Sequence, residues 1–584
     1  MTTRSVRWPA AAIALLALAS SAPSIVNQFT YDDRYIIELN PLMRSLAHWW
    51  RLFATSYWPR SWGGDGYRPL TLLSFNIQYV AGGGRPMLFH AVNIILYAVV
   101  AVLVLLLARR VLPSWAAFVI AACFAVHPVH VEAVANVVGQ SELLVALVFV
   151  PAVLLYLRDR MAGPLRPRTA AAIAALYAIA CFSKEHGIVL PAILLAAEFT
   201  IIDEQTPWRE RVRRDRLFYL VLTLVALCML WARSYVLRDN SLGGFQPFTP
   251  FSSLAITNRD RVLTAVSVVP EWIRLFYWPV HLSSEYGPAG IRIAQGFGLE
   301  QLPGFLLLIS ILSLGIVLRR RQPLASFGIA FVVIVLLPSS NFILPAGIVL
   351  AERTMFLPSV GAMLVLGAVI VPLFEWLKRR VAAPRLAQGL GGAMCALVLA
   401  AGMKRSMQRS TVWHDNNRLF RQAVIDSPDS YRAHFMLGAL DFDQKRKSDG
   451  EAEYKKAIAL FPYDPYVAYA LAEQYRAMGW CKAAIPFYRW SEGFPHRASL
   501  GREALALCLM DVANYSDGRK NALEAIRYGG DIKMMRRVIA YADSVIRTDS
   551  AGKAMGPVTL AGSSGKVPGS VQKARPGTPH PPGD

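Results

Sequence analysis

Charged residues are scarce in this chain. They make up 17% of its 584 residues, where soluble proteins carry about 25%. With 54% of residues hydrophobic, the chain is not water-soluble throughout. The scarcity is uneven. Apolar runs fill the stretch from about residue 8 to residue 402, and the last third has the composition of an ordinary soluble protein. The contrast implies one part solvated by lipid and one by water. Cysteine is sparse too, at six residues. Cys123, Cys181, Cys228 and Cys395 lie in apolar runs, where a thiol is a small hydrophobe. Cys481 and Cys508 lie in the soluble part. They can pair if that part faces an oxidising compartment, or stay free.

Acidic residues are the scarcer sign, 39 against 61 basic ones, for a net charge of +22. The distribution argues against a nucleic-acid partner, because most arginines cluster in short loops between apolar runs. That is the positive-inside pattern of membrane proteins. Arginine exceeds lysine and alanine is abundant, as in a GC-rich bacterial genome.

A spanning helix needs about 20 apolar residues. Candidate spans are roughly 8–26, 87–107, 113–127, 141–157, 170–182, 187–202, 217–234, 303–318, 325–338, 357–376 and 386–402, about eleven in all. Arg4 and Arg7 precede the first. Every second loop after it is basic: Arg109 and Arg110; Arg158 to Arg168; Arg209 to Arg216; Arg319 to Arg321; Lys378 to Arg380. These loops are expected in the cytoplasm. The run 262–280 would break the alternation if it crossed. It carries Glu271 and Arg274, so it reads as re-entrant or interfacial, packed on protein. The first run also has the features of a signal peptide, but it extends through Val26 and is expected to stay as a helix. An odd number of spans places residues 403–584 opposite the N-terminus: in the periplasm of a bacterium, in the lumen of a eukaryote.

In the soluble part Pro428 and Pro462 are 34 residues apart, the period of tetratricopeptide repeats. Leu437, Gly438, Tyr454 and Ala457 keep the pattern in one unit. Leu471, Tyr475, Ala484 and Tyr488 keep it in the next. Phe420, Ala423 and Pro428 end a preceding unit, and a degenerate one runs to about residue 530. Stacked units offer a concave surface for peptides. The expected organisation is an all-α chain: a polytopic helical bundle over 1–403, helical repeats over 404–548 and a disordered Gly-, Ser- and Pro-rich tail over 549–584.

Ionisable groups beside a membrane are functional candidates by default, and four clusters fall in outer loops. Asp32 and Asp33 follow the first span. They could act as a general base or hold a cation, or Asp33 could cap a helix from Tyr35. His127, His130 and Glu132 share one short segment. They could bind a divalent metal or hydrogen-bond a sugar or phosphate. Lys184 can pair with Glu185 or meet a phosphate. Arg353 suits bidentate phosphate recognition, or could simply pair with Glu352. Together the clusters describe an anionic polar pocket at the membrane face.

Tyr31-Asp32-Asp33, Tyr67-Arg68-Pro69-Leu70-Thr71, Phe89-His90-x-x-Asn93 and His127-Pro128-x-His130-x-Glu132-Ala133-Val134 occur in that order. Ser183-Lys184-Glu185-x-Gly187 and Glu352-Arg353-x-x-x-Leu357-Pro358-Ser359 follow. This series resembles the transmembrane and tetratricopeptide-repeat O-mannosyltransferases over about residues 25–530. Gln140 departs from it, standing where an arginine is usual. The resemblance implies a bacterial member of a family that looks like GT-C glycosyltransferases. It implies transfer of a sugar, mannose among the candidates, from a polyprenyl-phosphate donor to a protein hydroxyl or glycan acceptor at the outer face. It implies Asp33 or Asp32 as the base, and basic residues such as Arg353 and Lys184 on the leaving phosphate. His127, His130, Glu132, Glu185, Glu352 and Arg68 complete the candidate substrate site. No cofactor is required by this reading, and a divalent metal is left open. Expected partners are the donor lipid, the bilayer and an acceptor peptide on the repeats. The competing readings are a membrane-anchored repeat scaffold and a lipid-linked glycan transporter, which would place charges mid-span.

Overall fold

The structure, a computed structural model, describes residues 4–59, 65–238, 257–288, 290–346, 348–380, 384–491 and 498–550. The expected tail over 549–584 lies almost wholly outside them. Among the described residues the regular structure is helical, and no strand occurs.

The first part runs α1 (Arg4–Ser21), α2 (Pro69–Gly82), α3 (Pro86–Val111), α4 (Ser114–Ala125), α5 (Val131–Ala135), α6 (Gln140–Arg160), α7 (Pro167–Ser183), α8 (Leu190–Thr200), α9 (Trp208–Arg214) and α10 (Arg216–Leu237). It continues with α11 (Asn258–Tyr277), α12 (Leu302–Val317), α13 (Pro323–Leu336), α14 (Pro358–Arg380) and α15 (Pro384–Val412). Each of the eleven apolar runs is helical. By length and composition six helices can cross a membrane, seven if the bent pair α4 and Pro128–Ala135 is one span, and α7 and Pro323–Ser339 are shorter apolar helices. The chain is thus a multi-pass membrane protein.

Local signals explain the boundaries. Gly83 closes α2 at φ +60°, a left-handed conformation that glycine adopts freely, and Pro86 opens α3 where a missing N–H costs nothing. Helix α1 is a full member of the bundle, with Ile13 and Ala17 buried in the main core beside residues of α3 and α4. Helix α11 carries five charges, Arg259, Asp260, Arg261, Glu271 and Arg274, and is not among the candidate spans. It packs on α12 so closely that a Cβ on Gly304 would overlap the carbonyl of Val266. The run 262–280 is packed on protein, as the sequence suggests.

The second part is a ladder of helix pairs. A lone helix α16 (Asn416–Asp426) precedes α17 (Tyr431–Asp443) and α18 (Lys447–Leu460), then α19 (Pro465–Ala477) and α20 (Cys481–Ser491), then α21 (Ala498–Asp511), α22 (Tyr515–Arg527) and α23 (Ile532–Ser550). Helices α17 and α19 start 34 residues apart, each capped by a polar side chain, Ser430 on Ala433 N and Asp464 on Tyr466 N. Leu437, Tyr454, Ala457, Leu471, Tyr475, Ala484 and Tyr488 are all buried in one core, so the repeat pattern marks the inter-helix seam. A disulfide joins Cys481 to Cys508. Helix α15 runs unbroken past residue 403 to Val412, so a single helix connects bundle to repeats.

Candidate functional site

The first loop after α1 is fastened at its start to the end of α15. Asn27 Nδ2 donates to Ser410 O at 3.1 Å and Gln28 N to His414 O at 2.9 Å. That fixes where Asp32 and Asp33 emerge, and the two carboxylates then part company. Asp33 is fully buried. Its Oδ1 accepts from Val138 N at 2.8 Å, and its Oδ2 from Thr30 N at 3.2 Å and Val137 N at 3.3 Å. It does not cap the short helix that follows. Burial pushes its pKa up to about 8 against those hydrogen bonds. Asp33 ties the first loop to the turn before α6.

Asp32 points elsewhere. Its Oδ2 lies 3.8 Å from Arg353 Nη2, and its side chain keeps 15% of its surface exposed. Burial pushes its pKa up to about 6, with Arg353 and then Arg432 opposing the rise and Glu132 and Glu285 adding to it. Arg353 is held from behind by Glu132, which takes its N–H at 2.9 Å and its Nη1 at 2.6 Å. Arg353 thus pairs with Glu132 and Asp32, not with its neighbour Glu352. Glu352 turns away, with its Oε1 accepting from Ser283 N at 2.6 Å and Tyr286 Oη at 2.7 Å.

A second cluster lies beside the first. Lys184 pairs with Glu142, not with Glu185, and His186 Nε2 lies 3.4 Å from the same carboxylate. Burial lowers the Lys184 ammonium to about 8, with Arg68 and Arg353 acting in the same direction and Glu142 against them. Lys184 therefore senses both flanking cations. Glu185 instead bridges Arg68 Nε at 2.8 Å, Arg233 Nη1 at 3.1 Å and Tyr67 N at 3.1 Å. Burial works against the charge on Glu185, but Arg68 and Arg233 overcome it and lower its pKa to about 2. The Arg68 guanidinium also sits 4.5 Å over the Tyr57 ring.

The two histidines do not join this ribbon of charge. His127 Nε2 lies 3.0 Å from Phe276 O, and its Nδ1 accepts from Val129 N. His130 Nδ1 lies 3.0 Å from Phe124 O, and its Nε2 lies 2.9 Å from Ser359 Oγ. All four ring nitrogens are engaged inside the protein. Among the described residues no group of three or more His, Cys, Asp or Glu is disposed to hold a metal. Gln140 is fully buried, and its amide bonds Asn93 and Gln78, so it braces α2 against α3.

The site is wider than the motifs suggest. A cleft beside Arg353 is lined by Tyr31, Glu132, Glu285 and Arg432 among others. Arg432 belongs to α17, so a repeat helix forms part of the wall. Glu285 lies in the loop after α11. Neither residue has a local motif to mark it. They meet Tyr31 only because the turn before α17 docks on that loop, where Ser427 Oγ donates to Ser283 Oγ and Glu285 O.

Comparison with known proteins agrees with the motifs. The chain is 26% identical to protein O-mannosyl-transferase TMTC1 of Homo sapiens over 507 residues, covering 78% of this chain and 55% of that protein. It is 25% identical over 448 residues to protein O-mannosyl-transferase F38B6.6 of Caenorhabditis elegans, covering 74% and 60%. The chain is a relative of the transmembrane and tetratricopeptide-repeat family. It is likewise 26% identical to TMTC4 of Homo sapiens over 477 residues, covering 74% and 63%. The chain thus spans little more than half the length of the first relatives it matches. No protein-family model matches it.

Proposed function

We propose that the chain is a membrane glycosyltransferase of the GT-C kind. It moves a sugar, mannose foremost, from a polyprenyl-phosphate donor to a hydroxyl of a protein or glycan acceptor on the extracytoplasmic face. The relatives' shared name, protein O-mannosyl-transferase, supports the reaction class. The observation that carries the reading is the placement of Asp32 beside Arg353. The Asp32 carboxylate lies 3.8 Å from the Arg353 guanidinium, and Glu132 holds that cation in place.

In this reaction the acceptor oxygen attacks the anomeric carbon, and the bond from that carbon to the donor phosphate breaks. Asp32 takes the hydroxyl proton. With its pKa near 6 it is ionised at neutral pH yet basic enough to accept a proton. The leaving phosphate carries the developing charge. Arg353 answers it directly, and Lys184, paired with Glu142, lies within electrostatic reach of both Arg353 and the Glu185-bound Arg68. Asp33, spent on three backbone donors, positions the loop. In the extracytoplasmic arrangement the Cys481–Cys508 pair sits in an oxidising compartment: the periplasm in a bacterium, the endoplasmic reticulum lumen in a eukaryote. Residues 1–403 form the catalytic membrane part and 404–548 the repeat part in this proposal. The charged groups gather at helix ends, which favours neither a mid-membrane transport path nor a bare anchor.

The test uses purified protein, a labelled polyprenyl-phosphate sugar and an acceptor peptide. Acceptor-dependent release of lipid phosphate should fall by about 10²–10⁴-fold in Asp32→Asn, with its melting temperature unchanged. Asp33→Asn should lower the melting temperature, because a buried backbone donor loses its partner at about 1–3 kcal/mol. Full release by Asp32→Asn would remove Asp32 as the base.

A further inference from the structure

Tyr31, the residue just before Asp32, has φ +52°. A bulky side chain in this left-handed region is costly and persists only where its surroundings impose it. Three of those surroundings come from beyond α15. The Tyr31 N–H donates to Asn416 Oδ1 at 2.8 Å. Its ring meets Phe420 edge-on with centroids 6.3 Å apart. Its hydroxyl accepts from Arg432 Nη2 at 2.7 Å and donates to Glu285 Oε1 at 2.7 Å. Arg432 Nε also lies 3.4 Å from Glu285 Oε2. Backbone, ring and hydroxyl of one residue are thus each gripped, mainly by α16 and α17.

We propose that Asn416 and Arg432 are positioning residues for Asp32, acting through Tyr31, so that the first helices of the repeat region complete the transfer site. The inference rests on the function proposed above and assigns part of its machinery to a region otherwise suited only to acceptor binding. One strained residue links the two parts. A shift of α16 or α17 moves Tyr31, and with it the carboxylate that must face the acceptor hydroxyl. Arg432 also contributes charge. Arg353 and Arg432 oppose protonation of Asp32, and Glu132 and Glu285 favour it, as does coupling to the adjacent Asp33. Removing one cation leaves the acidic groups in excess.

The experiment compares full-length wild type, Asn416→Ala, Arg432→Gln and Arg432→Lys by two measurements. In backbone hydrogen exchange, residues 27–39 should exchange faster in Asn416→Ala and Arg432→Gln while α19 to α22 keep their protection. In acceptor-dependent lipid-phosphate release, both variants should lose up to about 10²-fold in kcat, as misplaced reacting groups do. The acid limb of the pH–rate profile should move to higher pH in Arg432→Gln. It should stay in place in Asn416→Ala and return in Arg432→Lys. A merely structural role for Arg432 would lower the rate without moving the limb. Unchanged exchange in residues 27–39 in both variants overturns the proposal, and so does an unshifted limb in Arg432→Gln. If Arg432→Gln misfolds, protection falls across α17 to α20, and Asn416→Ala carries the test alone through its exchange. A wild-type protein that transfers nothing would overturn the reaction proposed above, while the exchange measurement still decides whether α16 and α17 hold the loop.

Discussion

Glu352 is a carboxylate buried at the foot of the repeats with only 1% of its surface exposed. Burial pushes its pKa up to about 8, with Arg409 opposing and Glu132 adding. An unfolded glutamate titrates near 4.3. Between those values the folded protein holds a proton that the unfolded chain has lost. The stability this group contributes is therefore full below about 4.3 and lost as pH rises through about 8. Glu352→Gln stays neutral and keeps an oxygen for Ser283 and Tyr286. Its melting temperature relative to wild type should rise from pH 5 to pH 8.5, and a constant difference would contradict the shift. Asp33 titrates with the same sign, but it is present in both proteins and cancels. At this scale the sequence names most residues of the site but not their partners. The acid pair is visible at 32 and 33. Its division of labour is not, because the donors that engage Asp33 come from Val137 and Val138, more than a hundred residues away. Lys184 chooses Glu142 over adjacent Glu185 for the same reason: a buried ion pair is set by packing across helices.

Among the elements, each apolar run of the sequence becomes a helix, because apolar length is a property of a single segment, though the apolar α2 lies outside those runs. Hydropathy does not show that a helix resumes beyond a break: the run 113–127 stops where α4 ends, and Pro128–Ala135 follows at 47° to it after a short non-helical link. The 34-residue period survives as the spacing of α17 and α19, and its repeating apolar positions are the buried seam. What the period does not reveal is that α20 and α21, in neighbouring units, are joined through Cys481 and Cys508. The bridge closes a loop of 27 residues, which in the chain-entropy account stabilises by about 3.5 kcal/mol. Cys481→Ser should lower the unfolding temperature of the repeats, and reductant should do the same to wild type while leaving Cys481→Ser unmoved. Equal sensitivity of both proteins to reductant would show that the bond does not form.

Across the whole molecule, charge divides between two ends. Glu142 and Arg160 sit at opposite ends of α6, about 27 Å apart at 1.5 Å per residue, close to the thickness of a bilayer's hydrocarbon core. The Glu142 end carries Lys184, and Lys184 lies within electrostatic reach of Arg353, whose cleft the repeats help to wall. The Arg160 end is a separate cluster, where Glu198 takes Arg160 at 2.7 Å and Arg211 at 2.8 Å. Those arginines come from two of the loops that loop charge assigns to the cytoplasm. The contacts thus set the candidate site and the repeats at one end of α6 and two of the basic loops at the other, and the side of the membrane that each faces rests on the positive-inside rule. Single cysteines at exposed Ser448 and Arg320, introduced into a chain lacking Cys123, Cys181, Cys228 and Cys395, resolve it. In intact cells or sealed vesicles of right-side-out orientation, a membrane-impermeant maleimide should label Ser448→Cys at once and Arg320→Cys only after permeabilisation. Labelling of both before permeabilisation would mean that Arg319 to Arg321 face outward and that one helix in the count does not cross. The reverse order would put repeats and site together in the cytoplasm, away from any acceptor hydroxyl on the outer face.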